Sequence, residues 1–478
     1  MMKPAAAKPK RTPKSHGPGT PTPLGTPTSS SASRAGGDAG APSETRPRLR
    51  FPEFRDAPGW ACKPMGEVYS FKGNNSFSRD QLNYERGSVK NIHYGDIHTK
   101  FSTLFDVTKE TVPFINPSES LDGFRSENDC VEGDMILADV SEDLEDVGKS
   151  IEVVRLHGER VVAGQHTILA RPNDDNLVVG FGAYLFKSRR VRTQIQKEAQ
   201  GAKVLGISAT RLTKIELPIP STKAEQHKIA SCLSSLDDLI GAESQKLAAL
   251  KAHKQGLMQQ LFPLEGETVP RLRFPEFQNA PEWSVKKLNE LLFETKHRNR
   301  SLELGPNDVL SVSGEFGCVN QIEFMGRSYA GVTVKDYHVV ELGDIVYTKS
   351  PLKKNPYGII KENKWKRGIV STLYAVYRPF SGCSATYLDH FFSVDYNLNA
   401  YLQPIVRKGA KNDMKVNNAD VLKGDICVPE IQEQQKIATY LSSLDTMIAA
   451  QGDKVEALKS HKKGLMQQLF PSPAEAEA

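Results

Sequence analysis

The chain has 478 residues, 38% of them hydrophobic and 25% charged, which is ordinary for a globular protein of two or three domains. It has no apolar run long enough to span a bilayer and no apolar signal-peptide core, and its six cysteines are scattered without a CxxC pair. These features predict a cytoplasmic protein with reduced thiols, no membrane segment, no disulfide framework and no metal site. The net charge of +5 is uneven, because four Lys and five Arg against two acidic residues give residues 1–50 a charge of +7. The remainder carries −2, so any nucleic-acid binding must depend on local basic patches.

Residues 1–46 form a low-complexity segment rich in Pro, Ser, Thr, Ala and Gly, with the basic start KPKRTPK at Lys8–Lys14. Such a composition cannot bury a core, which predicts a disordered basic tail. The tail could add non-specific affinity for DNA phosphates, or it could be an inert extension or a mis-assigned start.

From Pro47 onward the chain is written twice. PRLRFPEF at Pro47–Phe54 recurs at Pro270–Phe277, an offset of 223. EQHKIASCLSSLD at Glu225–Asp237 recurs as EQQKIATYLSSLD at Glu433–Asp445, and GLMQQLFP at Gly256–Pro263 recurs unchanged at Gly464–Pro471, both at an offset of 208. The sequence between these blocks does not match, so the blocks predict a common frame that holds two unlike parts.

The unlike parts predict two compact α/β domains, at residues 47–217 and 265–428. Their strand-like runs are VVRLH (Val153–His157), HTILAR (His166–Arg171), NLVVGFGAYLF (Asn176–Phe186), VLSVSG (Val309–Gly314), DIVYTKS (Asp344–Ser350) and LYAVYRP (Leu373–Pro379). The first part is 15 residues longer between its flanking blocks, which suits loops that diverge on a shared scaffold. The repeated Trp60 and Trp283 are expected in the cores, and the pairs Gly133–Asp134 and Gly343–Asp344 are expected in turns before strands.

Each domain is followed by a long helix, at residues 218–264 and 429–472, and a short tail at 473–478 ends the chain. Apolar residues recur in steps of four and three over nearly five heptads in both helices, which predicts a coiled coil. Thr222 and Glu225 suit a capping box, and Pro263 and Pro471 are expected to end the helices. The predicted helix-pair interface comprises Leu236, Ile240, Glu243, Leu247, Leu250, Lys254, Leu444, Ile448, Gln451, Val455, Leu458 and Lys462.

The polar interruptions of the heptads suggest a register. If the helices run antiparallel with paired residue numbers summing to 705, Glu243 faces Lys462 and Lys254 faces Gln451. The sequence thus predicts an α/β (α+β) protein with two globular domains separated by an antiparallel coiled coil about 60 Å long, related by an internal pseudo-twofold axis.

The duplicated RLRFPEF, the EQxKIAxxLSSLD helix starts and the GLMQQLFP helix ends resemble those of the specificity subunit of type I restriction–modification systems, over about residues 47–472. The resemblance implies a non-catalytic subunit with two target-recognition domains, each binding one half of an asymmetric, interrupted site in double-stranded DNA. It also implies two modification (methyltransferase) subunits and restriction (nuclease and translocase) subunits as partners. The long N-terminal tail is the main departure from the family.

The resemblance implies no cofactor in this chain, while the partner subunits use S-adenosylmethionine, ATP and Mg. The residues agree, because the chain has no Walker GxxxxGK[ST] loop. Asn355-Pro356-Tyr357 is one proline short of an amino-methylating NPPY signature, and an ordinary turn is the favoured interpretation. Two alternatives remain: a specificity subunit of a methylation-only or other phage-defence assembly, or a self-contained methyltransferase or nuclease.

Candidate DNA contacts are basic clusters in the two unlike parts, because phosphates and base edges are bound mainly by Lys, Arg, Asn and Gln. They are Lys187, Arg189, Arg190, Arg192 and Lys203 in the first, and Lys349, Lys353, Lys354, Arg407, Lys408, Lys411 and Lys415 in the second. The alternative for each is a solvated surface charge. The shared Gly201-Ala202-Lys203 and Gly409-Ala410-Lys411 are either basic loops on the DNA backbone or tight turns.

Overall fold

The computed structural model describes residues 44–121, 125–331, 333–350, 352–408 and 414–472. Most of the predicted N-terminal tail and all of the tail at 473–478 lie outside these ranges. The tail was predicted to reach residue 46, and this boundary is wrong, because Glu44–Thr45 pairs antiparallel with Trp60–Ala61.

Domain 1 contains fourteen strands and five short helices within the described residues. The strands are β1 (Glu44–Thr45), β2 (Trp60–Pro64), β3 (Tyr69–Lys72), β4 (Leu82–Asn83), β5 (Lys90–Ile92), β6 (Leu104–Asp106), β7 (Phe114–Ile115), β8 (Met135–Ala138), β9 (Val140–Ser141), β10 (Ser150–Arg155), β11 (Val161–Ala163), β12 (Thr167–Pro172), β13 (Leu205–Gly206) and β14 (Glu216–Ile219). The helices are α1 (Met65–Val68), α2 (Tyr94–Thr99), α3 (Phe181–Lys187), α4 (Arg189–Glu198) and α5 (Ala209–Leu212). The long helix α6 (Lys223–Leu261) follows.

Domain 2 contains twelve strands and four helices in the part of the chain that the structure describes. The strands are β15 (Ser284–Lys287), β16 (Leu292–Glu294), β17 (Leu310–Ser313), β18 (Gly317–Asn320), β19 (His338–Val340), β20 (Ile345–Thr348), β21 (Ile360–Glu362), β22 (Gly368–Val370), β23 (Tyr374–Pro379), β24 (Arg407–Lys408), β25 (Met414–Lys415) and β26 (Asp425–Val428). The helices are α7 (Gln321–Met325), α8 (Ala385–Phe392), α9 (Asp395–Leu402) and α10 (Asn418–Val421), and the long α11 (Ile431–Leu469) follows.

The two domains share one framework although their sequences do not match. The main sheet of domain 1 has the order β3-β12-β8-β10-β6, and that of domain 2 has β16-β23-β20-β21. In both, the strand that contains or follows the repeated tryptophan pairs with the last strand of the domain, β2 with β14 and β15 with β26. The central strands β8 and β20 are buried along their whole length, so the apolar runs of both sequences fill the same position.

The Gly-Asp pairs occupy equivalent turns before β8 and β20, as the sequence predicts. Gly133 and Gly343 have positive φ values of 96° and 83°, a conformation that glycine adopts without strain. Each following aspartate makes a bidentate ion pair with an arginine of the neighbouring strand, Asp134 with Arg171 and Asp344 with Arg378, at 2.8–2.9 Å. These carboxylates therefore stabilise the main β-sheets and are engaged by arginines rather than by a ligand.

The strand prediction for Asn176–Phe186 is wrong, because this segment forms a turn and the buried helix α3. An apolar run gives no period from which a buried helix can be distinguished from a buried strand. The deciding contacts come from elsewhere in the chain: the Glu152 carboxylate on β10 accepts hydrogen bonds from the Gly180 and Ala183 backbone amides, at 2.7 and 2.6 Å. A tertiary contact thus supplies the acceptor that a helix start requires.

The long helices α6 and α11 are each 39 residues, which is about 58 Å at 1.5 Å per residue. The Thr222 hydroxyl caps α6 by accepting from the Glu225 amide, while the Glu225 carboxylate bonds elsewhere, so the capping box is half formed. Both helices end two residues before the prolines, as predicted. The predicted interface residues are all buried or half-buried, on two helices that run antiparallel.

The predicted register of these helices is wrong by about one heptad. Glu243 contacts Gln451 rather than Lys462, and Lys254 contacts Asp445 rather than Gln451. Lys462 contacts Asp237 instead, so the contacting residue numbers sum to between 694 and 699. A heptad pattern repeats itself after seven residues, and the two registers therefore offer similar seams. The lysines pair with carboxylates that lie outside the seam, and a pattern confined to the seam residues does not contain these pairs.

The helix ends fix the register by entering the domain cores. Ile229 and Leu233, near the start of α6, share a core cluster with Leu469 and Phe470 at the end of α11 and with Trp60 of domain 1. At the opposite end, the final residues of α6 and the first turns of α11 share the core of domain 2 with Trp283 in the same way. Each domain therefore packs on the start of its own following helix and on the end of the other helix.

The three repeated blocks meet at each of these junctions. Arg50 of RLRFPEF makes a bidentate ion pair with the buried Glu225 of EQxKIA, with both N–O distances at 2.7 Å. Its neighbour Leu49 donates its backbone N–H to the carbonyl of Gln468, in GLMQQLFP, at 2.9 Å. Arg273, Glu433, Leu272 and Gln260 make the same contacts at domain 2. The duplicated blocks therefore hold each domain on the helix pair, and we call this set of contacts at each junction a lock.

Candidate nucleic-acid interface

The predicted basic cluster of domain 1 divides into structural and exposed members. Arg192 donates to the backbone carbonyls of Glu145, Val147 and Gly148, and burial lowers its pKa. Arg190 is 8% exposed and ion-pairs with Glu216 at 3.5 Å. Neither guanidinium is available for base contacts, so we withdraw both as candidates. Arg189 and Lys203 are exposed.

Lys203 stands in a tight turn. Gly201 has a φ of +133°, and a Cβ at this position would lie 1.9 Å from the Val204 carbonyl oxygen, so only glycine is accommodated. The bridge between Gln200 and Gly206 closes the turn. The tight-turn interpretation therefore explains the glycine, and it leaves the lysine exposed beside it. The matching residues 409–413, with Lys411, lie outside the described ranges.

The domain 2 candidates lie in two separate places. Lys353 and Lys354 are exposed in the loop between β20 and β21, and Lys349 at its start is half-buried with a pKa lowered by burial. Arg407 and Lys408 belong to β24 and Lys415 belongs to β25, and these two strands pair antiparallel. In the same β20–β21 loop, the Asn355 side chain donates to Asp395 at 2.9 Å and its carbonyl accepts from Gly358. Asn355-Pro356-Tyr357 is thus an ordinary turn.

Domain 2 also exposes an aromatic pair that is not apparent from the sequence. Phe316 at the tip of the β17–β18 hairpin and Phe324 of α7 are 60% and 49% exposed, with ring centroids 5.5 Å apart. Arg327 stacks on the exposed ring of Tyr329 a few residues later. Exposed aromatic rings and guanidinium planes are the side chains that contact bases by stacking. Their separation in the sequence from the lysine clusters hid this surface.

A groove of about 800 Å³ lies between domain 1 and the end of α11, and we call it the junction groove. Its domain wall carries Lys149, Lys187, Arg189 and Arg192, and its helix wall carries Lys459, Lys462 and Lys463. Three carboxylates, Glu145, Asp146 and Asp237, accompany these seven basic groups. The walls come from three distant parts of the chain, so only Lys187, Arg189 and Arg192 were found from sequence.

Lys187 is the most buried basic side chain of the groove. Its ammonium donates to the Thr103 hydroxyl. Burial, followed by repulsion from Lys462, lowers its pKa to about 8. Lys462 itself pairs with Asp237 and lies over the Tyr184 ring at 5.2 Å from the centroid.

At the equivalent junction of domain 2, the lysines Lys254, Lys361 and Lys364 are each paired with a carboxylate. Lys364 pairs with Asp389 at 2.6 Å and with Glu362 at 3.5 Å, and Lys254 pairs with Asp445. The helix that corresponds to α4, α9 with the sequence DYNLNAYL, has no basic residue, whereas α4 has the sequence RRVRTQIQKE. The two ends of the molecule therefore share a frame and differ in charge.

A buried histidine at this second junction makes the stability depend on pH. His390 is 1% exposed and bonds Ser442 at 3.2 Å, and burial lowers its pKa from 6.5 to about 4. As pH falls from 6.5 towards 4, the unfolded chain gains a proton that the folded chain does not accept, so the folded state loses stability. We expect the free energy of unfolding of the wild type to fall by about 2 kcal/mol more than that of His390→Gln between pH 7 and 4.5. Denaturant titrations of both proteins measure this, with the exposed His253→Gln as control; parallel pH profiles for wild type and His390→Gln would contradict it.

In the described ranges, no cluster of three or more His, Cys, Asp and Glu side chains is arranged to hold a metal ion. Within the same ranges, no helix has both the length and the apolar character that crossing a bilayer demands.

Two unlike globular domains, each locked onto the same helix pair by the same three blocks, define a scaffold that presents two different surfaces at a fixed distance. Residues 59–252 match the family model of the type I restriction modification DNA specificity domain. The chain is 24% identical over 413 residues to the putative type I restriction enzyme MjaX specificity subunit of Methanocaldococcus jannaschii, covering 82% of this chain and 88% of that protein. It is 23% identical over 305 residues to the MjaVIII specificity subunit of the same organism, covering 60% and 69%.

Among solved structures, the fold is similar to the crystal structure of a type I restriction–modification S subunit from M. genitalium. The TM-score is 0.54 at 14% identity, with 89% of this chain and 99% of that chain covered. Over most of its length the chain is thus similar to the specificity subunits of type I restriction–modification systems.

Proposed function

We propose that domain 1 and domain 2 each bind one half of an interrupted, asymmetric DNA site, with the helix pair setting the distance between the halves. The observation that carries the proposal is one framework with unlike exposed side chains: Arg189 on α4 and Lys203 in domain 1, and the Phe316–Phe324 pair, Lys353 and Lys354 in domain 2. Side chains of different chemistry prefer different base edges and base steps. Two unlike surfaces therefore favour two unlike half-sites.

The helix pair has a length that suits this role. At about 58 Å it spans between one and two turns of B-DNA, which repeats about every 34 Å. Both domains can then contact the same side of one duplex. A rigid spacer also fixes the number of intervening base pairs, because each domain is locked to both helices.

The partner assembly is part of the same proposal. The copied blocks also carry exposed side chains: Leu49 and Leu272 contribute only their backbone amides to the locks, and each residue is 39% exposed. Identical exposed surfaces related by a pseudo-twofold axis can bind two copies of one partner. We propose that two modification subunits bind there and methylate adenine, using S-adenosylmethionine, and that restriction subunits using ATP and Mg complete the nuclease.

The target is tested by sequencing methylated bases in a host that carries the modification subunit with or without this chain. The expected result is a single interrupted motif of two unlike halves that is methylated only when the chain is present. A continuous motif, or methylation that persists without the chain, would contradict the proposal. Incubating the purified chain alone with labelled S-adenosylmethionine and DNA tests the rival self-contained methyltransferase, for which label would enter the DNA without a partner.

The docking of partners gives a second measurable expectation. Leu49→Asp places a charge in one exposed copy of the surface while the backbone bond to Gln468 is retained. We expect native mass spectrometry to show complexes with one modification subunit for Leu49→Asp or Leu272→Asp, and none for the double variant. Leu373→Asp is the control, because Leu373 is 70% exposed and lies outside the copied blocks. Wild-type stoichiometry in the double variant would place the partners elsewhere.

A further inference from the structure

The junction groove contains more positive charge than the structure neutralises. Lys149 pairs with Asp146 at 3.3 Å, Lys462 with Asp237 and Lys459 with Glu456 at 2.7 Å, while Arg192 donates to three backbone carbonyls. Arg189 and Lys463 point their charges into the same open groove from opposite walls. Basic groups gathered at this density repel one another, and an anion between the walls removes that repulsion.

The pseudo-symmetry of the molecule supplies an internal comparison. Lys459, Lys462 and Lys463 on α11 correspond to Lys251, Lys254 and Gln255 on α6, an offset of 208. At the second junction, Asp445 pairs with Lys254, and Asp389 and Glu362 pair with Lys364 of domain 2. The helices differ at one of these three positions, Lys463 against Gln255, so the excess charge at the first junction comes from domain 1 and from Lys463 of α11.

The chemistry of the groove selects phosphate. Its donors are ammonium and guanidinium groups at the mouth and on both walls, and Arg189 lies at the first residue of α4. Lysine and arginine contact phosphate oxygens without regard to base sequence.

We propose that the junction groove binds a backbone phosphate of the spacer DNA next to the half-site of domain 1, and that the domain 2 junction has no equivalent. The proposal depends on the proposed DNA-binding function and adds an asymmetric phosphate clamp to it. DNA is then held more firmly at one end of the helix pair, through a contact that is independent of base sequence.

The test uses the full chain in complex with its modification subunits and measures the dissociation constant for its methylation motif against salt concentration. The variant is Arg189→Glu with Lys463→Glu, two exposed residues that make no contact in the core. The control is Lys251→Glu with Gln255→Glu on the other helix, at the positions equivalent to Lys459 and Lys463, which changes the charge by −3 against −4 in the variant. We expect the slope of log K against log salt to fall by about 2 in the variant and by less than half as much in the control. Specific and non-specific DNA should lose affinity by the same factor, on the order of tenfold or more. Equal losses in variant and control would overturn the clamp.

A second arm locates the phosphate. Neutral methylphosphonate is placed at single linkages through the spacer, and wild type and variant are compared. One linkage beside the domain 1 half-site should weaken wild-type binding and leave variant binding unchanged, because the contact is already lost. If every linkage weakens both proteins alike, the groove does not bind the spacer.

Pyrophosphate is titrated in parallel: if it binds the groove while the variant keeps wild-type DNA affinity, the groove binds a free anion and the proposed clamp is wrong. Failure of the wild type to bind its motif would refute the proposed function itself.

Discussion

Arg50→Ala is expected to lower the free energy of unfolding by about 3–5 kcal/mol, since it leaves a buried charge without its partner. The Glu225 side chain is 1% exposed and receives two N–H bonds from Arg50 at 2.7 Å. After the substitution, the Trp60 indole N–H at 3.2 Å remains as its side-chain donor among those the structure describes. The same arginine also donates to the carbonyls of Ala57 and Pro58, which lose those bonds. Domain 1 should therefore separate from the helix pair under milder denaturant than in the wild type.

Denaturant unfolding followed by tryptophan fluorescence measures this loss, because Trp60 lies inside the affected junction. The matched control is Lys228→Ala, which removes a half-exposed ion pair with Glu53 between the same two blocks and should cost less than about 1 kcal/mol. Glu225→Gln in the Arg50→Ala background should recover part of the loss, because an amide carries no charge that requires compensation. Equal losses in Arg50→Ala and Lys228→Ala would show that the buried pair is not the lock.

The sequence predicts the parts of the fold that depend on local pattern. The two long helices, their prolines, the turns at Gly133 and Gly343 and the buried tryptophans follow from residue type and spacing. The repeated blocks were visible as repeats, but the bond that explains them joins residues 175 positions apart, Arg50 and Glu225. No local pattern contains that contact.

The wrong predictions have the same origin. The helix register was inferred from the seam alone, whereas it is fixed by helix ends that enter two separate cores. Helix α3 was taken for a strand because its capping carboxylate, Glu152, belongs to a distant strand. For the DNA surface, residue type identified Arg189 as a candidate, but only the fold places Lys463 across the groove from it. Composition indicates which side chains can bind phosphate, and packing decides which of them meet.

Replacing domain 2 by a second copy of domain 1 should replace one half of the recognised DNA motif. Replacing Ser284–Val428 by Ala61–Ile219 puts domain 1 at both ends of the helix pair. The two cut points are adjacent in each domain, because Ala61 pairs with Ile219 and Ser284 pairs with Val428 in the entry and exit strands. The transplanted domain would contact the same residue types in its new position. GLMQQLFP is identical at both ends of the helix pair, and Asp445 is equivalent to Asp237, which accepts a hydrogen bond from the Tyr184 hydroxyl at 2.9 Å. The lock residues Arg273 and Glu433 lie outside the exchanged segment and stay in place.

The pseudo-twofold axis relates the two domain positions. The second copy should therefore bind the same half-site in the inverted orientation, on the opposite DNA strand. The expected methylation motif consists of the domain 1 half-site and its inverted complement, separated by the original number of base pairs because the helix pair is unchanged. The reciprocal exchange should give the corresponding motif for domain 2, and sequencing methylated bases in hosts that carry each chimaera measures both. A chimaera that still methylates the wild-type asymmetric motif would show that specificity lies outside the exchanged segments. Two half-sites in the same orientation would instead contradict the twofold arrangement of the domains, since only a twofold frame inverts one half-site relative to the other.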